Sequence, residues 1–213
     1  MTVKEFKFQY ALGSISEDDL IKIAKKTTSK YILTTLSKDE NYGVRASVAK
    51  NRNVPIDIIT KLSKDKKLEV RYCVAKNPNT PKKILTKLSN DKEWHVKWVV
   101  ANNKNTPIKV LTKLSKDEDY KIRDGVAQNP YTPADLLTKL SEDPFVIYSI
   151  AYNPSTPKKI LTKLSKAADP LVREFVAKNR STHKKVLIRL SKDEDGAIMI
   201  NAKKTLLDKG IKV

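Results

Sequence analysis

Residues 76–89 read KNPNTPKKILTKLS, and residues 152–165 repeat the phrase almost unchanged as YNPSTPKKILTKLS. The closing leucine of this phrase marks a period that runs through most of the chain. It recurs at Leu36, Leu62, Leu88, Leu114, Leu140, Leu164 and Leu190, and the step is constant except for the shorter one from Leu140 to Leu164. A fixed period of about 26 residues is typical of repeat architectures, so the sequence predicts a solenoid.

Each repeat predicts two short helices. In the first quoted phrase, Thr80 is expected to cap the first helix and Pro81 to be its first residue. The second helix follows with an apolar face that includes Val96, Val99 and Val100. With about eight to ten residues each, neither helix is stable alone in water, so successive pairs must stack on one another.

Three polar columns recur with the same period and are expected to hold the stack together. The asparagine after each second helix is expected to hydrogen-bond nearby backbone and to reach the neighbouring repeat. A basic and an acidic column are expected to form ion pairs between repeats. The asparagines are Asn51, Asn77, Asn103, Asn129, Asn153 and Asn179. The basic column is Arg45, Arg71, Lys97, Arg123 and Arg173, and the acidic column is Asp39, Asp65, Asp91, Asp117, Asp143 and Asp193.

The phrase VRYCVAKNPNTPKKILTKLSND (70–91) resembles the leucine-rich repeat variant and, more loosely, HEAT-like repeats. The resemblance implies an all-α, right-handed α-solenoid of about seven two-helix repeats of roughly 26 residues, with terminal caps. The pairs are either α with 3₁₀ or α with α. We expect one continuous domain, with an N-terminal cap segment at 1–30, the repeat array at 31–195 and a C-terminal capping helix at 196–213.

The amino-terminal residues 5–12 have a different pattern from the repeats. Apolar Phe6, Phe8, Tyr10 and Leu12 alternate with other residues. A period of two is typical of a strand. We therefore expect a strand, or an extended tail folded back over the first repeat.

The composition restricts the classes of partner. The chain has 43 Lys and Arg against 24 Asp and Glu, a formal net charge of +19, which attracts polyanions. A lysine-rich proteome would give the same balance, and both interpretations stay open. Cys73 is the only cysteine, and no long apolar run is present, so we expect a cytoplasmic protein without membrane insertion, metal or cofactor. We also expect a monomer.

Basic residues without a matching acidic column are the candidate contacts for an anion. They occupy the penultimate position of the first helix, or follow its start. A row of this kind suits a phosphate backbone, although lysine in the last turn of a helix also complements the helix dipole. The first set is Lys61, Lys87, Lys113, Lys139, Lys163 and Arg189, and the second is Lys82, Lys83, Lys158 and Lys159.

Aromatic residues are the second group of candidates. Tyr72, Trp98 and Tyr148 occupy one column of the second helix, with Trp94 one turn before Trp98. They are expected to stack nucleobases, to anchor a protein partner, or to pack on the adjacent repeat. The irregular repeat at 141–154 lacks two residues, and its Phe145 and Tyr152 are a candidate anchor for a partner.

These features predict a non-enzymatic scaffold that binds nucleic acid with low sequence specificity. The alternative is an adaptor for an acidic protein or peptide. A second alternative, a HEAT-like DNA glycosylase, rests on Trp94, Trp98 and Asp124. The two histidines and five scattered glycines form no catalytic or phosphate-binding motif, so no small-molecule substrate is expected.

Overall fold

The structure is a computed structural model that describes residues 1–211, in which every helix is short and no strand occurs. The chain divides into two compact units, Met1–Pro107 and Ile108–Val213. The first unit contains α1 (Val3–Ala11), α2 (Glu17–Lys26), α3 (Lys30–Leu36), α4 (Tyr42–Lys50), α5 (Ile56–Leu62), α6 (Leu68–Lys76), α7 (Lys82–Leu88) and α8 (Trp94–Asn102).

The second unit continues the same succession of helix pairs. Its elements are α9 (Ile108–Leu114), α10 (Tyr120–Gln128), α11 (Ala134–Leu140), a 3₁₀ turn (Pro144–Val146), α12 (Ile147–Tyr152), α13 (Lys158–Leu164), α14 (Pro170–Lys178), α15 (Lys184–Leu190) and α16 (Gly196–Asp208). Of the predicted C-terminal segment, residues 212–213 lie outside the described residues.

The predicted all-α solenoid of two-helix repeats is confirmed. The odd-numbered helices from α3 to α15 are the first helices of the repeats, and the even-numbered helices from α4 to α16 are the second helices. Both members of each pair are α-helices, so the α/α alternative holds, with one 3₁₀ turn in the described residues. The right hand of the superhelix and the single continuous domain stay predictions.

The core of each unit lies between its first and second helices. In α7 the side chains of Ile84, Leu85 and Leu88 are buried, and in α6 those of Val70 and Val74 are buried. Successive second helices pack directly on one another, α4 on α6 and α6 on α8 in the first unit, and α12 on α14 and α14 on α16 in the second. Burying each such leucine contributes about 1.5–3 kcal/mol, which only stacked pairs can obtain.

The amino-terminal segment is helical, so the predicted strand or extended tail over residues 5–12 was wrong. Thr2 and Glu5 form a capping box at the start of α1, in which the Glu5 carboxylate accepts the Thr2 N–H at 2.7 Å. Phe6 is fully buried, whereas Phe8 is 68% exposed. The cap satisfies backbone donors locally, and one apolar anchor suffices to hold the helix, so the alternating pattern has no strand partner.

The start of the first helices also differs from the prediction. Pro81 has an extended backbone (φ −62°, ψ 145°) and precedes α7, which begins at Lys82. Thr80 does not cap α7, because its hydroxyl donates to the carbonyl of Val74 at 2.5 Å. The threonine therefore satisfies a carbonyl at the end of the preceding helix, where such groups lack partners within the helix.

Within each unit the asparagine column binds successive repeats to one another, as predicted. The Asn77 side chain is buried, and its Nδ2 donates to Ala49 O at 2.7 Å and to Asn51 O at 3.0 Å. Its Oδ1 accepts the backbone N–H of Asn79 at 2.9 Å. One side chain thus satisfies the end of the previous second helix and shapes its own turn.

The predicted ion-pair ladder is present as well. Arg71 donates from Nε and Nη2 to the two carboxylate oxygens of Asp91, at 2.7 and 3.0 Å. Its Nη1 donates to the carbonyls of Asp65 and Lys66. Each such arginine therefore binds an aspartate 20 residues later and the loop before its own helix. The same pairing joins Arg45 to Asp65, Arg123 to Asp143 and Arg173 to Asp193.

Three aspartates of this ladder, Asp65, Asp91 and Asp193, have lowered pKa values. For Asp91, burial by itself would raise the pKa, but hydrogen bonds from Arg71 and from the backbone N–H of Glu93 outweigh burial. For Asp193, the hydrogen bond from Arg173 is the largest cause and lowers the pKa. Such a carboxylate stabilises the fold above its unfolded pKa, and this contribution is lost as the pH falls through the folded pKa.

We expect Asn77→Ala to lower the free energy of unfolding by about 2–4 kcal/mol, because two buried carbonyls and one N–H lose their partner. Asn53→Ala is the matched control, since Asn53 is exposed and its side chain makes no hydrogen bond within residues 1–211. Urea denaturation followed by circular dichroism measures both changes. Equal midpoints for the two variants would contradict this role of the column.

We also expect stability to fall as the pH is lowered from about 5 towards 2, because unfolded aspartates take up protons near pH 3.9. The double variant Asp91→Asn/Asp193→Asn should be less stable at pH 6 and should lose less stability across that interval. Urea midpoints at a series of pH values measure the difference. An equally steep loss in the variant would show that the ladder does not cause the acid sensitivity.

Candidate functional site

Each unit carries exposed lysines on its first helices. Lys61 and Lys87 lie in the last turns of α5 and α7, and Lys139 and Lys163 lie in the last turns of α11 and α13. Within residues 1–211 these four side chains form no hydrogen bond or ion pair. Each unit therefore carries its own part of the predicted lysine row, and the ammonium groups of these four lysines are solvated. Lys113 occupies the same position in α9 and is also exposed.

Arg189 departs from the rest of the row. Its Nη2 donates to the backbone carbonyl of Ser165 at 3.2 Å and to the Ser165 hydroxyl. The guanidinium thus lies against the preceding repeat, and part of its hydrogen-bonding capacity is used by that repeat. Sequence position alone did not distinguish it from the lysines.

The second predicted set places like charges next to each other on single helices. Lys83 and Lys87 are four residues apart on α7, and Lys159 and Lys163 are four residues apart on α13. Residues at this spacing are neighbours on one face, and like charges there destabilise a helix by about 0.2–0.5 kcal/mol per pair. Lys82, Lys83, Lys158 and Lys159 also lie in first turns, where the helix dipole opposes positive charge. Neither the like-charged pairing nor the first-turn position is favoured by helix stability, whereas Lys87 and Lys163 in the last turns complement the helix dipole.

The aromatic residues lie in the other layer. Tyr72 belongs to α6 and Trp98 to α8, which are second helices, and both side chains are half-buried. The two helices of a repeat pack through their apolar faces, so their exposed faces point away from each other. In the first unit the lysine row and these aromatic rings therefore form two surfaces.

A cleft of about 350 Å³ opens between α6 and α8. Its apolar surface comes chiefly from Tyr72, Trp98 and Pro78, and the two lysines at it are Lys76 and Lys104. Val99, Asn102 and Asn103 complete the lining, and no carboxylate belongs to it. Trp94 does not line the cleft, and its ring stacks on His95 at 3.7 Å between centroids.

Comparison with known proteins identifies the fold and gives no activity. No protein-family model matches the chain, and no curated protein matches its sequence. One solved structure, described as a leucine-rich repeat variant with a novel repetitive structural motif, is 24% identical, with a TM-score of 0.62 over 95% of this chain and 81% of that chain. The chain has the leucine-rich repeat variant fold.

Two engineered proteins of known structure are less similar to this chain. One is 16% identical over 88% of this chain and 72% of its own length, with a TM-score of 0.42. The other is 15% identical over 99% and 98%, with a TM-score of 0.29.

The aromatic residues of the second unit pack on the neighbouring repeat. The rings of Tyr148 and Tyr152 contact Phe175 edge-on, at 6.2 and 5.9 Å between centroids. The Tyr148 hydroxyl donates to Asp169 Oδ2 at 2.6 Å, and this hydrogen bond raises the pKa of Tyr148. Phe145 is 65% exposed and lies 5.4 Å from the Tyr120 ring. Of these, Phe145 and Tyr152 keep most of their surface free.

The irregular repeat lacks one complete ion pair of the ladder. Ile147 stands where the other repeats have a basic residue, and Ala167 stands where they have the aspartate that follows 20 residues later. The shortened loop forms the 3₁₀ turn, in which Asp143 O accepts the N–H of Val146 at 3.3 Å. This hydrogen bond within the loop replaces the arginine that binds the loop carbonyls in the repeats that have one. Without the arginine, its aspartate partner is not needed either. The gap at 167 in the acidic column was the sequence signal for this change.

A groove of about 680 Å³ lies where that ion pair is missing. Ile147, Leu164, Ala167 and Val172 contribute its apolar lining. Its edge carries both signs of charge, Lys163, Glu142 and Asp169, together with Ser141, Pro144, Tyr148 and Ala168. This groove brings Lys163 and Tyr148, two of the predicted site residues, to one place in the second unit.

Asp124, the acidic residue considered for a glycosylase, has both carboxylate oxygens hydrogen-bonded. Ser149 Oγ donates to Oδ1 at 2.5 Å, and Gln128 Nε2 donates to Oδ2 at 2.6 Å. Burial raises the pKa of Asp124, although both hydrogen bonds lower it. No observation in the second unit favours a catalytic role for it.

Residues 1–211 contain neither a cluster of metal-binding side chains nor a membrane-spanning helix. Among residues 1–211, no three His, Cys, Asp or Glu side chains lie close enough together to hold a metal ion. Over the same residues, no helix has the length and apolar composition needed to cross a bilayer.

We expect Ile147→Arg alone to destabilise the second unit, because it places a cation beside Leu164 and Val172 without its aspartate. Adding Ala167→Asp should recover part of the loss, with a coupling of about 0.5–3 kcal/mol in a double-mutant cycle. Urea denaturation of the wild type, both single variants and the double variant measures it. Purely additive changes would show that the two positions are not linked as a ladder pair.

Proposed function

We propose that this protein is a non-enzymatic scaffold that binds nucleic acid through the lysines of its first helices. The observation that carries the proposal is the like-charged pairing on α7 and α13. Lysines four residues apart repel each other, and Lys83 and Lys159 lie in first turns, where the helix dipole opposes positive charge. An anionic ligand along this face would convert that repulsion into binding.

The spacing of the lysines suits an extended anion. Packed helices lie roughly 8–10 Å apart, so one last-turn lysine per repeat advances by about three nucleotides along a strand. In the second unit, α13 carries Lys159 and Lys163, and α15 carries Lys184 and Lys185 at the start of the next repeat. Flexible ammonium groups that contact phosphates read no base sequence, so we expect low sequence specificity.

The overall charge acts in the same direction. A formal net charge of +19 raises the local concentration of a polyanion and accelerates its association. Binding of this kind releases condensed counterions, so affinity should fall linearly with salt on logarithmic scales. The cytoplasmic location and the monomeric state stay predictions.

An adaptor function is the second candidate, and the groove beside Ile147 favours it. The groove has an apolar lining, with Lys163 at its edge and exposed Phe145 in the same repeat. It would take an apolar side chain of a partner, with an acidic neighbour placed against Lys163. The Ile147→Arg/Ala167→Asp variant would fill this groove without changing the net charge.

We expect Lys159→Gln/Lys163→Gln to weaken binding of a labelled 20-base-pair duplex and to reduce the salt slope by about two, because each lysine neutralises about one phosphate. Lys203→Gln/Lys204→Gln on α16 is the matched control, with the same charge change on exposed lysines of the second-helix layer. Fluorescence anisotropy over a salt series measures both variants.

Three outcomes decide between the candidates. Equal loss in both lysine variants would show diffuse charge without a binding face. Absence of duplex binding by the wild type at low salt would remove the nucleic-acid proposal. A protein partner bound by the wild type and by Lys159→Gln, weakened by Lys163→Gln and lost with Ile147→Arg/Ala167→Asp, would establish the adaptor.

A further inference from the structure

We propose that the cleft between α6 and α8 binds one unpaired nucleotide of a single strand. The base would lie against Trp98 and Tyr72, and its phosphate against Lys76 and Lys104. This inference rests on the proposed function for the class of ligand, but it assigns a second site, on the second helices. One nucleic acid would then contact two surfaces: its phosphates would bind the first helices, and an unpaired base would bind in the cleft.

The two rings stand open to a ligand. Tyr72 and Trp98 occupy the same position in successive repeats and line the same cleft, yet no ring-to-ring contact joins them among residues 1–211. The equivalent column in the second unit differs, because Tyr148 is held by Phe175 and Asp169. A base stacked on an aromatic side chain fits such an opening, and each stacked base contributes strongly to single-strand affinity.

The charge at the cleft selects an anion. Lys76 and Lys104 are exposed, and no carboxylate lines the cleft. Lys76 Nζ lies 5.9 Å from the Tyr72 ring centroid, so its ammonium group sits beside the aromatic wall. A ligand that places a flat ring on the wall and a negative charge within reach of both lysines satisfies this arrangement. A nucleotide has both parts.

Polar atoms are available for the edge of a base. The Trp98 indole N–H has no acceptor within residues 1–211, and it can donate to a ligand oxygen or nitrogen. Asn102 donates Nδ2 to Trp98 O at 3.2 Å, which leaves Oδ1 as an acceptor at the cleft. These groups are few, so recognition of the base is expected to be tolerant of its identity.

The size of the cleft favours a single unpaired unit. A volume of about 350 Å³ lies at the low end of the roughly 300–1,000 Å³ range of small-ligand sites. Bases inside a duplex are stacked on their neighbours, and they reach such a cleft only after leaving the stack. The cleft should therefore distinguish single strands from duplexes, whereas the first-helix lysines should accept both.

The test uses Trp98 as its own reporter. In a Trp94→Phe background, Trp98 is the only tryptophan of the chain. Titration with a 12-nucleotide deoxythymidine strand should quench its fluorescence, and a blunt 12-base-pair duplex should not. Thymidine monophosphate, which lacks neighbouring phosphates, should bind at least tenfold more weakly than the strand.

Substitutions separate stacking from general effects on the fold. Trp98→Ala should weaken single-strand binding by roughly five- to hundredfold with duplex binding unchanged, while Trp98→Phe should retain most of the affinity. Tyr131→Ala is the matched control, since Tyr131 is 61% exposed in the second unit. Lys104→Gln, in an exposed turn, should reduce the single-strand salt slope by about 0.7. Circular dichroism checks that each variant is folded.

The results that would overturn the inference are distinct from those against the proposed function. Unchanged single-strand affinity in folded Trp98→Ala and Lys104→Gln would remove the cleft as a site and leave duplex binding by the first helices intact. Equal quenching by duplex would show that no unpaired base is required. Thymidine monophosphate binding as tightly as the strand would assign the cleft to free nucleotides. If the wild type binds the single strand but not the duplex, the first-helix proposal is refuted and the cleft remains a site.

Discussion

The structure depends on one hydrogen-bonding arrangement, in which a buried asparagine amide joins the ends of two successive second helices. A helix of nine residues leaves several carbonyls without partners at its C-terminus, and burying them without hydrogen bonds would be costly. Asn77 satisfies two carbonyls of the preceding repeat and shapes its own turn through Oδ1. At the last repeat the position holds Thr205, whose hydroxyl still donates to Ala177 O at 2.7 Å. Within each unit, side chains at the same position of successive repeats therefore lie in a row.

The ion-pair ladder follows from this register, and its one gap explains the irregular repeat. An arginine fixes the loop before its own helix and binds an aspartate 20 residues later. Where the loop is two residues shorter it closes on itself, and Ile147 and Ala167 replace the pair together. A lone carboxylate in that partly buried position would lack its counter-ion. The loss of both charges leaves the groove in the second unit.

The division of each repeat into two layers also organises the proposed functions. The apolar faces of both helices are buried between the two layers, so each layer exposes a different set of side chains to solvent. First helices present lysines, with like charges adjacent on α7 and α13. Second helices of the first unit present Tyr72 and Trp98 around a cleft whose charged lining residues are lysines. Phosphate binding and base stacking are therefore proposed for different surfaces of the same repeats.

The sequence by itself determined the helix-pair repeat, the asparagine column and the arginine–aspartate pairing, because each depends on spacing along the chain that stacking converts into contact. Only the tertiary structure decided which of several available hydrogen-bond partners a side chain takes. Thr80 bonds to Val74 instead of capping α7, and Arg189 turns to Ser165 although it shares the spacing of the lysines. Residues 5–12 are helical because a local cap and buried Phe6 outweigh their alternating pattern. The period also assigned the lysines to first helices and the aromatics to second helices, but only the packing of the two helices of a repeat through their apolar faces makes the exposed faces point away from each other.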